Sequence, residues 1–313
     1  MGGQRPAPEV VTSPEEEAAA PPGALGRNLK AALLVIGLIG LALAARQALR
    51  DAEDVALPGP GALLVGFALT RLALSCSARA WVALLGSPAD PHLVTGALYQ
   101  SQLVKYLPAG GVVQAAGQVA MTATHGIPVR RVSLAYLTHA AATVAAGAAL
   151  SAALVLSGDL EPWARAASLL GLAGLVLADR RLLAWLLRLA RRVTARIPEP
   201  DLLPDQGAML VALAWCVANH VLYASGFTVL LHAVDPDVPV VTATLGYVLS
   251  WVVGFLVLPL PSGIGVREAV LVAVVPGVAT GPLLAASLAQ RLVAIAAEVV
   301  AAATNRAMRR FSR

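Results

Sequence analysis

Of 313 residues, 58% are hydrophobic and only 13% are charged, about half the roughly 25% charge of a soluble domain. The apolar residues fall in long runs that a globular core does not need, so the composition excludes a water-soluble fold. The net charge of +5 does not point to nucleic acid, because the basic residues sit at the ends of apolar runs, where they set orientation and meet anionic lipid.

The composition predicts an all-α integral membrane protein, a polytopic helical bundle of about 6–8 spanning helices with two broken segments. Residues 1–28 are rich in Pro, Ala, Glu and Gly and carry the acidic run Glu15–Glu17. They read as a disordered tail on the cytoplasmic side and lack the charged start and short apolar core of a cleavable signal. Residues 29–305 form a single transmembrane domain, and 306–313 a basic cytoplasmic tail. The first apolar run, 31–49, follows Arg27 and Lys30 and precedes Asp51, Glu53 and Asp54. That asymmetry puts the N-terminus in the cytoplasm. The second run is 61–85.

The segment 93–122 is broken by Leu107-Pro108-Ala109-Gly110-Gly111. Each half, near 20 Å as a helix, falls short of the ~30 Å hydrocarbon core. It reads as a re-entrant hairpin, or as two very short crossings. Runs at 132–157 and 164–178 span outward and back, marked by Arg130 and Arg131 at the start and Asp159 and Glu161 at the turn. Residues 180–197 hold six arginines among leucines and Trp185, the pattern of a basic amphipathic helix on the cytoplasmic membrane surface. A span at 208–232 leads to Asp235 and Asp237, then to a second broken segment at 239–277. Its break is Pro259-Leu260-Pro261-Ser262-Gly263-Ile264-Gly265, and whether it crosses or re-enters stays open. The last span, 282–304, ends in Arg306, Arg309, Arg310 and Arg313. Gly/Pro interruptions in corresponding places of two halves suggest an inverted-topology repeat around a transport site, with ordinary proline kinks as the alternative.

Irregular backbone at membrane depth must be buried in protein or line a wet cavity. Helices restarting after Gly110-Gly111 and Gly263–Gly265 would aim N–H groups and dipole at an anion. Costly polar residues gather at similar depth. Arg71 lies ten residues into its run, roughly 15 Å deep by helical rise. Arg291 lies comparably deep, Lys105 approaches from the other side, and Glu298 shares a face with Arg291 at i+7. Gln114 and Gln118 share a face at i+4. Each ionisable group there costs at least ~2.5 kcal/mol, and the surplus of cations suits a phosphate-bearing ligand. Arg79 reads as a snorkelling residue near the inner end. The adjacent Arg267 and Glu268 suit either a structural pair or ligand contact, and Tyr106 stands out beside Lys105. Cys76 and Cys216 read as small buried hydrophobes, and His139 and His220 as satisfied polar core residues. The histidines make no H-E-x-x-H pattern, and no Walker loop, G-x-S-x-G or aspartate-rich motif appears, so neither an enzyme nor a metal or cofactor is expected.

The stretch Lys105 to Gly111 followed by Gln114, Gly117 and Gln118, and Leu260-Pro261-Ser262-Gly263-Ile264-Gly265-Val266-Arg267-Glu268 followed by Arg291 and Glu298, resemble the lysylphosphatidylglycerol synthase transmembrane-region family. The resemblance covers about residues 30–305. Ser262 stands for a family glycine, and Ala109, Val113 and Gln118 stand where glycine, an aromatic residue and arginine are frequent. The family includes the flippase half of bacterial aminoacyl-phosphatidylglycerol synthases, and some stand-alone members are associated with lipid-linked sugar metabolism. It implies the translocation part without the synthetic domain.

The expected activity is movement of an anionic or zwitterionic lipid headgroup, on a phospholipid, polyprenyl phosphate or glycolipid, across the cytoplasmic membrane. The residues expected to contact it are Arg71, Lys105, Tyr106, Gly110, Gly111, Gln114, Gln118, Gly263, Gly265, Arg267, Glu268, Arg291 and Glu298. The alternatives are an accessory subunit serving a glycosyltransferase or lipid-synthase partner, and a membrane-embedded headgroup transferase.

Overall fold

A computed structural model describes residues 57–86, 90–105, 110–152, 166, 179–194, 199–256, 265–275 and 278–311. The N-terminal tail, the run 31–49, nearly all of 164–178, and Tyr106 and Gly263 lie outside the described residues. Within them the helices are α1 (Pro60–Leu85), α2 (Pro91–Gln102), α3 (Gly110–Ala123), α4 (Val129–Ala152), α5 (Arg180–Arg191), α6 (Gln206–His232), α7 (Val240–Leu256), α8 (Val266–Val274) and α9 (Thr280–Phe311).

Local chemistry explains several boundaries. Pro60 and Pro91 occupy first helical turns, where a missing N–H costs nothing. Asp90, Asp179 and Asp205 cap α2, α5 and α6, each carboxylate accepting backbone N–H groups at 2.8–2.9 Å. The chain leaves α1 through Gly86 at φ 65°, a left-handed conformation glycine adopts without penalty. Arg131 at the start of α4 donates to the Leu85 carbonyl at 2.9 Å and pins that corner. The last helix runs to Phe311, past the expected boundary at 305, since nothing in Asn305–Phe311 breaks a helix.

Among the described residues four helices, α1, α4, α6 and α9 as far as Met308, are long and apolar enough to cross a membrane. Leu64, Leu72, Leu210, Val221, Leu292 and Val299 are exposed on their outer faces. Apolar residues both inside and outside the bundle are what a lipid solvent requires. The chain is a polytopic helical membrane protein.

The interior divides into two apolar clusters. One joins the second half of α1 to α2, α4, the first half of α6 and Ala297–Ala302 of α9. The other joins the second half of α6 to α7, α8 and Leu283–Val293 of α9. Thus α6 and α9 thread both clusters, and each broken segment belongs to one of them. Small residues let the helices approach. A Cβ on Gly226 would meet the Gly66 carbonyl of α1 at 3.3 Å, and one on Gly147 of α4 would meet Val252 of α7 at 2.6 Å and His220 of α6 at 2.9 Å. Beside the first contact, Gln290 of α9 donates to Thr70 of α1 at 3.1 Å. Cys76 and Cys216 are buried free thiols, and His220 is buried with Nε2 2.9 Å from the Thr143 carbonyl.

The arms of the broken segments are short: α2 has 12 residues, α3 14, α7 17 and α8 9. Helical rise makes them roughly 18, 21, 26 and 14 Å long, all below ~30 Å. α2 begins where α9 finishes, with Asn305 donating to the His92 carbonyl at 3.2 Å. α7 begins at the opposite end, with Val238 and Ala243 packed beside Leu231 of α6 and Leu283 of α9. Of the amphipathic stretch expected at 180–197, Arg180–Arg191 form α5, which ends earlier than expected, and 195–197 lie outside the described residues. Leu187 of α5 packs on Leu134 and Leu203, while Trp185 and Leu189, and Val193 just past the end of the helix, are exposed.

Candidate functional site

Both breaks put charge against α9. Lys105, three residues past the end of α2, forms an ion pair with Glu298 and donates to Gln102 at 3.1 Å. The Glu298 side chain is 1% exposed and that of Lys105 22%, so the pair is largely out of solvent. Behind it, Ser101 donates to the Gln118 Oε1 at 3.3 Å, joining the two arms of the first broken segment. Gln118 is buried and its Nε2 has no partner among the described residues. Gln114, one turn earlier on α3, is half-buried.

The second break docks one helical stretch away. Arg291 donates from Nε and Nη2 to Glu268 Oε1 at 3.0 and 2.7 Å, and Ser287 donates to the same oxygen at 3.0 Å. The other carboxylate oxygen accepts the Gly265 N–H at 2.8 Å, so Glu268 closes the start of its own helix. A ligand reaching that backbone donor would first have to displace Glu268. Gly265 has φ 82°, and a Cβ added there would meet nothing within 4 Å, so backbone conformation rather than close approach demands glycine here. A Cβ on Gly111, just after α3 starts at Gly110, would likewise meet nothing within 4 Å.

Arg267 points the other way. Its guanidinium lies 5.5 Å from the Trp251 ring centroid, and its Nε has no partner among the described residues. The stem lies on Gly254, where a Cβ would come within 2.5 Å of Arg267 Cγ. Gly254→Val is expected to lift Arg267 off Trp251 and to lower stability by about 1–3 kcal/mol, as overpacking does. Thermal unfolding in detergent, followed by tryptophan emission, checks this; an unchanged midpoint would contradict it.

Arg71 belongs to a separate place, a cavity of about 490 Å³ between α1, α2, α6 and α9. Arg71 donates to Ser75 at 2.7 Å and lies 5.5 Å from the Tyr99 ring centroid. Arg79 lies 4.7 Å from the Trp215 ring centroid in the same cavity. Among the described residues neither arginine has a carboxylate partner. The structure thus separates the residues singled out in the sequence: two carboxylate-paired cations on α9 and its neighbours, and two arginines without a carboxylate partner among the described residues, Arg267 against Trp251 and Arg71 in a cavity. Arg79, Tyr99 and Trp215 are not among those singled out. The spacing Arg71, Ser75, Arg79 does carry a signal, because residues four apart share a helix face. Among the described residues no group of three or more His, Cys, Asp or Glu could hold a metal ion.

The sequence profile of the lysylphosphatidylglycerol synthase TM region matches residues 28–302, nearly the whole chain, and the chain belongs to that family. A comparison with curated proteins finds no match.

Proposed function

We propose that the protein moves a phosphate-bearing lipid headgroup across the membrane by exchanging partners at the buried cations. The observation that carries this is the placement of both ion pairs: each broken segment is charge-paired to one helix, at Arg291 and Glu298, seven residues apart. That is roughly 10 Å of helix. A buried carboxylate and a headgroup phosphate compete for the same cation. When phosphate takes Lys105, Glu298 is released, and the reverse exchange returns it. The same trade operates between Arg291 and Glu268. Every state then keeps its cations paired, and the released carboxylate takes up a proton or meets a cationic group of the headgroup, because a bare charge in a low-dielectric interior is costly. The lipid tails stay in the bilayer.

The two broken segments start from opposite ends of the bundle, which supports re-entrant hairpins in an inverted repeat that rocks about the site. The arginine-rich end, with Arg131 and Arg306, faces the cytoplasm of the cell membrane in this reading. The test is lipid mass spectrometry on protein extracted with its native lipids, comparing wild type with Lys105→Ala/Arg291→Ala. One phosphate-bearing lipid class enriched on wild type and lost from the folded variant is the expected result. Equal enrichment on both, or none, would refute it.

A second reading rests on α5 and the two residues after it. Exposed Trp185, Leu189 and Val193 beside exposed Arg181, Arg188 and Arg192 suit contact with a partner such as a glycosyltransferase, to which the protein would present its lipid. A partner that co-purifies with wild type and is lost on Trp185→Ala/Leu189→Ala would favour it.

A further inference from the structure

We infer that Arg79 and Arg71 form a two-station path that takes the phosphate of a membrane lipid from the arginine-rich end of the bundle inward to Lys105. This rests on the transport reading and names where the headgroup enters and which chemistry admits it. Arg79 lies six residues before the end of α1 and Arg71 fourteen, so they stand roughly 9 and 21 Å below that end. The cavity that contains both reaches the end itself, since it is also lined by His92 near the start of α2 and Met308 near the end of α9.

Each station has the same build: a guanidinium against the ring of an aromatic residue from another helix, Trp215 of α6 for Arg79 and Tyr99 of α2 for Arg71. The ring steadies the arginine without neutralising it. Elsewhere in the bundle Lys105 and Arg291 meet carboxylates and Arg267 lies against Trp251, away from this cavity, so among the described residues lining the cavity these two arginines stand open to an external anion. Asp90, which precedes the lining residues Pro91 and His92 in the chain, is engaged in capping α2 at 2.8 Å. Tyr99 then leads along α2 toward Lys105, six residues later in the chain.

Size and lining set the ligand class. About 490 Å³ lies within the ~300–1,000 Å³ range of small-molecule sites. It takes a phosphate with a substituent of about one glycerol or one sugar. Trp215, Val82 and half-exposed Met308 give the cavity an apolar wall, along which a lipid chain can leave for the bilayer. A soluble phosphate ester shares the phosphate chemistry but makes no use of that wall.

The test titrates the purified full chain in detergent by native mass spectrometry. The probes are dioleoyl phosphatidylglycerol, dioleoylglycerol and glycerol 1-phosphate. Phosphatidylglycerol is expected to bind best, and Arg71→Gln/Arg79→Gln to weaken it by about tenfold or more, the size of a lost charged hydrogen bond. Arg130→Gln at the exposed start of α4 is expected to leave it unchanged. If the double variant fails to fold, Thr95→Trp fills the cavity from α2 without altering either charge and is expected to give the same loss. Equal binding by the folded variants and wild type, or dioleoylglycerol binding as tightly as phosphatidylglycerol, would overturn the path. Tighter binding of glycerol 1-phosphate than of phosphatidylglycerol would overturn the lipid as its source. The assay reads binding alone, so the two ideas fail separately. Arginine-dependent binding without translocation would refute transport, and translocation without such binding would refute the path.

Discussion

Glu298→Gln is expected to destabilise the folded protein by about 3–5 kcal/mol, the cost of leaving one member of a buried ion pair without its partner. Glu298 is buried on α9 and pairs with Lys105, which sits at the first break. Removing the carboxylate takes away the anion that Lys105 faces, and a neutral acceptor such as the Gln102 oxygen at 3.1 Å does not balance its charge. Thermal unfolding in detergent measures the loss. The double variant Lys105→Met/Glu298→Leu removes both charges and is expected to recover most of the stability, because a well-packed apolar pair can replace a buried ion pair. It is not expected to recover translocation, since no cation remains to receive phosphate. A charge-reversed pair, Lys105→Glu/Glu298→Lys, separates the two roles further through its coupling energy. If Glu298→Gln melts like wild type, the pair contributes nothing and the exchange mechanism loses its footing.

Arg291→Ala should act on the second break. Glu268 would keep its bonds to Ser287 and to the Gly265 N–H but lose both bonds from Arg291. The expected cost is about 1.5–3 kcal/mol for a charged hydrogen-bond partner, smaller than for Glu298. The larger effect is local. Arg291 is the cationic tie between α9 and α8, a helix of only 9 residues, too short to persist alone in the absence of tertiary contacts. Hydrogen exchange in residues 266–274 is expected to accelerate in the variant, while α1 and α6 keep their protection. Arg291→Lys keeps the charge and one bond and should fall between. Uniform acceleration across all helices would mean that Arg291 supports global stability rather than the docking of α8.

The helices are readable because membrane spans announce themselves by length and apolar content. The runs 61–85 and 208–232 correspond to α1 and α6 nearly to the residue. The breaks are readable for the same reason in reverse, since Pro and Gly clusters interrupt otherwise continuous runs. What the chain does not reveal are the partners. Arg291 and Glu298 share a face by spacing alone, but that one meets Glu268 and the other Lys105 depends on how the two broken segments dock. Depth alone makes Arg79 look like a snorkelling residue. Only the packing of α1 on α6, through Gly66 and Gly226, brings Trp215 within reach and makes Arg79 a wall of a cavity. Gly265, by its place in the break, suggests close approach of a ligand. The structure assigns it a positive φ at the start of α8, a backbone property that a one-letter code shows only as glycine.

The most direct test of the account is translocation in reconstituted vesicles of phosphatidylcholine. Each carries a trace of one chain-labelled lipid whose outer-leaflet label is destroyed by an impermeant reductant. Phosphatidylglycerol, phosphatidylethanolamine and a polyprenyl phosphate are compared one at a time. The account predicts that with wild type at least one of them loses inner-leaflet label as well. With the folded Lys105→Met/Glu298→Leu variant, only the outer-leaflet label should be lost. Inner-leaflet label protected from the reductant in every case, or lost equally with wild type and the variant, would contradict it.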